Sequence, residues 1–204
     1  MFLSINVVAA ADCDLNSFSW MGHVDTLQEV ETCILRNPEI IADRESGSGY
    51  TVLHFATKKI PDPKAIRALI KAGAEVNAPS AFGTSPLHYA AASHEKSEST
   101  IEKINILLLA GAEVNMLDQA GNTPLHFAAQ ITSKPEVIKV LLAAGAEIDI
   151  RNSSGSTPLH LAAEKNPNPA IVAILIEYGA NTELADNHGK TPWDYINHGP
   201  ITED

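Results

Sequence analysis

Eight histidines and two cysteines are the side chains in this chain that most invite a metal-binding or nucleophilic reading. Four of them, His54, His88, His126 and His160, recur at one place in a repeated phrase and have to be weighed together. A zinc site needs its ligands to converge at bonding distances near ~2 Å. Repeated units stack roughly a nanometre apart, the spacing of packed helices, so the four rings cannot meet on one ion. His94-Glu95-Lys96-Ser97-Glu98 opens like the metalloprotease pattern H-E-x-x-H but ends on Glu98, in a loop-like stretch. No G-x-x-x-x-G-K-[ST], no G-x-S-x-G and no thiols at metal spacing occur. The sequence therefore predicts no catalytic, cofactor-binding or metal-ligating residues, no cofactor and no enzyme activity.

The elements that would position these histidines are legible in the phrase itself. Gly121-Asn122-Thr123-Pro124-Leu125-His126-Phe127-Ala128 has counterparts beginning at Gly49, Gly83 and Gly155, and an eroded copy, Gly189-Lys190-Thr191-Pro192-Trp193-Asp194-Tyr195-Ile196. The glycines step by 34, 38, 34 and 34 residues, a period typical of repeat architectures. Thr, or Ser85 in one copy, can cap the first turn of a helix, and proline directly after it sits where a missing N–H costs nothing. A second signature, Gly73-Ala74-Glu75-Val76-Asn77, recurs from Gly111, Gly145 and Gly179. It marks helix ends at a left-handed glycine. Ile66, Leu69 and Ile70 precede Gly73 by seven, four and three residues, and Ile104, Leu107 and Leu108, Ile138, Leu141 and Leu142, and Val172, Leu175 and Ile176 keep that register. This i, i+3, i+4 stripe is one buried helix face repeated four times.

The phrase resembles the ankyrin family, whose signature is T-P-L-H-x-A. The resemblance covers about residues 15–198 and implies an all-α solenoid of about five to six helix-turn-helix units with short β-hairpin fingers. A single domain over 12–198 is expected, with an N-terminal unit at 15–48, repeats at 49–82, 83–120, 121–154 and 155–188, and a C-terminal cap at 189–198. Residues 199–204 read as a tail. In the N-terminal unit a short helix is expected over 15–21 and a second one ending near Arg36, where Asn37-Pro38 stops it. The third unit is longer because residues 93–100 extend its inter-helix loop by four residues. The resemblance also implies that the motif histidines hydrogen-bond backbone between adjacent units.

Composition bounds the partners. The net charge of −11 and a pI near 5.1 disfavour a phosphate backbone or an anionic membrane surface and favour a partner with a basic surface. Residues 1–50 hold eight acids against Arg36 and Arg44. Lys58, Lys59, Lys64, Arg67 and Lys71 form a local basic run broken by Asp62, which reads as a solvated helix face.

Residues 1–11 are apolar and end in small residues, like the end of a secretory signal, but lack a basic start. They are either a signal remnant or an arm packed on the first unit, and are too short to span a bilayer. In a helix pair the approach to the first helix lies beside the end of the second, which could bring Cys13 and Cys33 within bridging distance. Such a bond would close a loop of about 20 residues, stabilise the unit by roughly 3 kcal/mol and fit an oxidising compartment. Two buried thiols in a cytosolic cap are the alternative.

The expected function is a non-enzymatic module that is a monomer by itself and binds a partner protein through finger tips and concave face. One reading is a regulator or inhibitor of a periplasmic or secreted partner, such as an envelope hydrolase; the other is a cytoplasmic scaffold or effector adaptor. Candidate contact residues are Phe82, Met116, Asp118, Gln119, Arg151 and Asn152 on the fingers. Lys58, Ser93, Gln130, Ile131, Glu164 and Lys165 join them at the ends of the first helices.

Overall fold

The computed structural model describes residues 26–93 and 99–198. The expected helix over 15–21, the apolar arm, Cys13, most of the inserted loop and the tail lie outside them. Thr51, Ser85, Thr123 and Thr157 are extended N-caps, and they open α2 (Val52–Lys59), α4 (Pro86–Ala91), α6 (Pro124–Ile131) and α8 (Pro158–Lys165). In each, the motif histidine stands three residues in and its Nδ1 accepts the cap's backbone N–H, at 3.0 to 3.1 Å. It takes the part that Glu or Gln plays in the usual capping box.

The second helices are α3 (Pro63–Lys71), α5 (Ser99–Leu109), α7 (Pro135–Ala143) and α9 (Pro169–Glu177). Three start on proline at the first helical position, where the ring suits the fixed φ. Each ends with two reaching amides: Gly73 N–H donates to Ile70 O and Ala74 N–H to Leu69 O, both at 3.0 Å, and the pattern repeats at Gly111, Gly145 and Gly179. Gly73 has φ +100°, the conformation this closure requires. An N-terminal helix, α1 (Leu27–Arg36), is followed by a 3-10 turn at Pro38–Ile41, and α10 (Pro192–His198) is the last described element.

The helices form two rows. α2, α4, α6, α8 and α10 pack side by side, α3, α5, α7 and α9 form the row behind them, and α1 lies against α3. Between the rows runs one continuous core. Leu53, Leu87, Leu125 and Leu159 are fully buried, with Ile66, Ile104, Ile138 and Leu175 facing them from the second row. The expected stripe holds in part. Its first two positions are buried in α3, α5 and α7, but its third, Ile70, Leu108, Leu142 and Ile176, is only partly buried in every unit. The position before the stripe, Ala65, Lys103, Val137 and Ile171, is buried in all four, and in α9 Val172 is only partly so.

Two expectations are corrected. Among the described residues there is no strand; the fingers are tight turns, each closed across its base by one backbone hydrogen bond such as Ser80 N–H to Thr84 O, too little for a ladder. The polar loop expected over 93–100 is also shorter, because Ser99 opens α5 and Thr100 is buried, donating to the Ser93 hydroxyl at 3.3 Å.

Lys103 is a departure that the stripe did not announce. It stands where the other second helices have Ala65, Val137 and Ile171, is 2% exposed, and donates from Nζ to Thr57 O at 3.2 Å. At a later junction the carbonyl of Ala129, in the register of Thr57, is capped instead by Asn166 Nδ2 at 2.7 Å. An ammonium thus ties the longer unit to its neighbour as an amide does elsewhere.

Burial lowers the His54 and His126 rings to about 4 and lowers His88 as well, because the charged imidazolium is poorly solvated there. An unfolded histidine titrates near 6.5. Between these values the unfolded chain binds more protons than the folded one, so the histidines' contribution is fully present above about pH 6.5 and is lost as pH falls toward 4. The urea midpoint is therefore expected to hold steady from pH 8 to 7 and to fall between pH 6.5 and 5, above the main carboxylate range. A midpoint flat to pH 5 contradicts this.

Candidate protein-binding surface

Each finger is built by one polar side chain three residues before the motif glycine. Asp118 Oδ1 accepts the amides of Ala120 and Asn122 at 2.9 and 2.8 Å, and Asn152 Oδ1 accepts those of Ser154 and Ser156, both at 3.0 Å. Ser80 and Asp186 do the same in their fingers. Short oxygen-bearing side chains favour turns by this bonding. Asp118 and Asn152, both candidate contact residues, therefore hold the turns.

The fingers are joined into a row. Ala81 N–H donates to Ser48 O, Gln119 N–H to Phe82 O, Ser153 N–H to Ala120 O and Asn187 N–H to Ser154 O, at 2.7 to 3.0 Å. Gln119 adds a side-chain bond to Ala81 O and Arg151 one to Ala185 O, both at 2.8 Å. On the other side of the finger base, Asn77 Oδ1 accepts Glu113 N–H and Asn115 Oδ1 accepts Glu147 N–H, at 2.9 Å in each case.

This row presents two apolar side chains to water, Phe82 at 58% and Leu117 at 53% exposure. They stand on adjacent fingers whose backbones meet at the Phe82 to Gln119 bond. Met116, expected here, is half-buried, and Leu117 beside it takes the exposed position. The corresponding residues of the other fingers are Pro79, Arg151 and Ala185, so comparing the repeats position by position would have singled out Leu117 as the one large aliphatic side chain there.

Beside the fingers, the first helices carry Phe55, Tyr89, Phe127, Leu161 and Tyr195, each directly after the motif histidine or its Asp194 replacement. The Tyr89 ring meets His54 edge-on at 5.9 Å, Phe127 meets His88 at 5.1 Å and Tyr195 meets His160 at 6.2 Å, a favourable aromatic geometry. Tyr195 donates to Asp186 at 2.6 Å. That bond and partial burial push its phenol up to about 12. Lys58, a candidate contact residue, is exposed with its ammonium 5.7 Å over the Tyr89 ring.

Toward the C-terminal end a polar groove of about 310 Å³ opens between fingers and first helices. The candidates Gln130, Asn152, Glu164 and Lys165 are brought together on its wall, with Ser154 and His188. Glu164 and Lys165 pair at 3.6 Å. Ile131 is half-buried at the end of α6, and Ser93 half-buried beside Thr100. Cys33 is buried on α1, and its expected partner Cys13 lies outside the described residues.

The four motif histidines serve neighbouring units. Their Nε2 atoms lie 3.0 to 3.1 Å from the carbonyls of Thr84, Asn122, Ser156 and Lys190. Among the described residues no three His, Cys, Asp or Glu side chains could hold a metal ion, and no described helix is long and apolar enough to cross a membrane.

Two rows of paired helices with fingers stacked in register define a helical-repeat solenoid. Family models for ankyrin repeats match residues 92–186 as three copies and residues 48–81 as one. Between them they span more than half of the chain, and the chain belongs to the ankyrin-repeat family. Ankyrin repeats are generally protein–protein interaction modules. No curated protein matches the chain.

Two glycines test the finger row. A Cβ on Gly83, at φ +78°, would lie 2.9 Å from Gln119 N and 3.1 Å from Asp118 Cα, whereas one on Gly73 meets nothing within 4 Å. Gly73→Ala is expected to cost roughly 1–2 kcal/mol for the left-handed backbone alone. Gly83→Ala carries the same conformational cost and must also push two fingers apart, so its urea midpoint is expected to fall further. Equal losses would mean that the finger contact contributes little.

Proposed function

We propose that the chain is a non-enzymatic binding module that regulates or inhibits a partner protein through its fingers and concave face. The observation that carries this reading is the exposure of Phe82 and Leu117 on hydrogen-bonded fingers. Large apolar side chains held rigidly on a polar surface are the usual anchors of an interface. The non-enzymatic part is supported by the motif histidines, whose two ring nitrogens are both engaged in backbone contacts.

The compartment belongs to the same proposal. The apolar start and the cysteine pair support export to an oxidising space and a Cys13–Cys33 bond that staples the N-terminal unit. An exported partner with a basic surface, an envelope hydrolase blocked at its cleft, suits the acidic charge of −11.

Affinity purification from envelope extracts is expected to recover one partner at equal stoichiometry. The double variant Phe82→Ala with Leu117→Ala should weaken that complex by about tenfold to a hundredfold, as loss of anchor residues does, while leaving the unfolding midpoint in place. Unaltered affinity removes the finger patch from the interface.

Intact mass of the native protein with and without reductant and alkylation tests the compartment. Loss of the apolar segment and a mass two hydrogens light are expected for export with the bond formed. Two alkylatable thiols on an unprocessed chain would instead favour the cytosolic scaffold or adaptor reading.

A further inference from the structure

We propose that the outer face of α3 is a second docking surface, separate from the fingers and concave face, for a short acidic segment of a protein. Residues 49–82 carry a net charge of +3 in a chain whose total is −11. Lys64, Arg67 and Lys71 follow one another at i, i+3 and i+7, which places them along one side of the helix. All three are exposed, while Ala65, Ile66 and Leu69 occupy the buried side. Lys59, exposed at the end of α2, stands across the 60–62 connection from Lys64.

The carboxylates of this unit are already committed. Asp62 Oδ1 accepts the Lys64 backbone amide at 2.9 Å, which makes it the N-cap of α3. Glu75 pairs with Arg44 at 3.2 Å. None of Lys59, Lys64, Arg67 and Lys71 makes an ion pair with a described residue. Four cations in an acidic protein are thus left facing water.

The size of the patch selects its occupant. From Lys64 to Lys71 the helix rises about 10 Å, the reach of three or four extended residues at ~3.3 Å each. Acids flank it on both sides: Glu31 is exposed on α1, which packs on α3, and Glu102 on the adjoining α5 stands in the register of Lys64. A nucleic-acid duplex or an anionic vesicle extends well past this width. Its phosphates would meet those carboxylates within a Debye length of about 8 Å. A segment with a few consecutive carboxylates covers the cations and stops.

The test is a titration of the full chain with a peptide of five glutamates flanked by Gly-Ser, followed by backbone amide NMR. Shifts are expected to be confined to α3 and the 60–62 connection. They should be absent with the glutamine counterpart and weaken severalfold between 50 and 300 mM salt. The triple variant Lys64→Gln, Arg67→Gln, Lys71→Gln should raise Kd about tenfold, since exposed ion pairs each contribute modestly, with its unfolding midpoint unchanged. Lys139→Gln, which removes an exposed cation in the register of Arg67 on α7, should leave binding intact. If shifts are missing or map to the fingers, or if the triple variant binds as the parent does, the proposal fails. It fails also if duplex DNA or phosphatidylserine vesicles bind through the same residues as tightly as the peptide.

Discussion

The two-sided bond of the motif histidine is the interaction on which the rest of the structure depends. On one side Nδ1 accepts the backbone N–H of its own helix cap; on the other Nε2 reaches a carbonyl of the next unit. Accepting at Nδ1 leaves the ring proton on Nε2, so a single neutral tautomer satisfies both contacts and the carbonyl receives a donor. A repeat has too little apolar surface to close on itself and is stable only against its neighbours. The histidine ties the start of one helix to the start of the next, fixing the spacing at which the leucine core interlocks and the fingers stack.

The finger row follows from that spacing. Each finger tip donates one amide to the finger before it, and the polar residue at each base consumes the turn's own amides. The result is a surface of loops whose tip amides are nearly all spoken for, and such loops lose little freedom when a partner binds. Regularity relaxes where units differ. Lys103 bridges to Thr57 at the longer third unit, and at the last unit Trp193 and Ile196 stand 42% and 37% exposed in registers that are buried in the other repeats.

Much of the architecture could be read from the sequence because it is written in local chemistry. Thr-Pro starts a helix, Gly-Ala ends one, and the Ile/Leu stripe between them needs no knowledge of neighbours. The finger residues were harder to read for a physical reason. Asp118 and Asn152 look like exposed polar contacts until their hydrogen bonds are traced, and Gln119 and Arg151 bond across fingers to residues 38 and 34 positions away in the chain. Lys103 was invisible for the opposite reason, since a lysine inside an apolar stripe reads as a gap. The aromatic residues Phe55, Tyr89, Phe127 and Tyr195 share one register in the repeats, but only the edge-on contacts of Tyr89, Phe127 and Tyr195 with the preceding unit's histidine ring give the row a role.

The central claim is that the fingers form one preorganised face, and backbone hydrogen exchange of the isolated chain tests it most directly. The amides of Ala81, Gln119, Ser153 and Asn187 each donate to the neighbouring finger. They are expected to exchange as slowly as the amides of the helices behind them, because opening one finger requires breaking its contact with the next. Exchange at the rate of an unstructured loop, with the helices still protected, would mean that the fingers are ordered only when a partner binds.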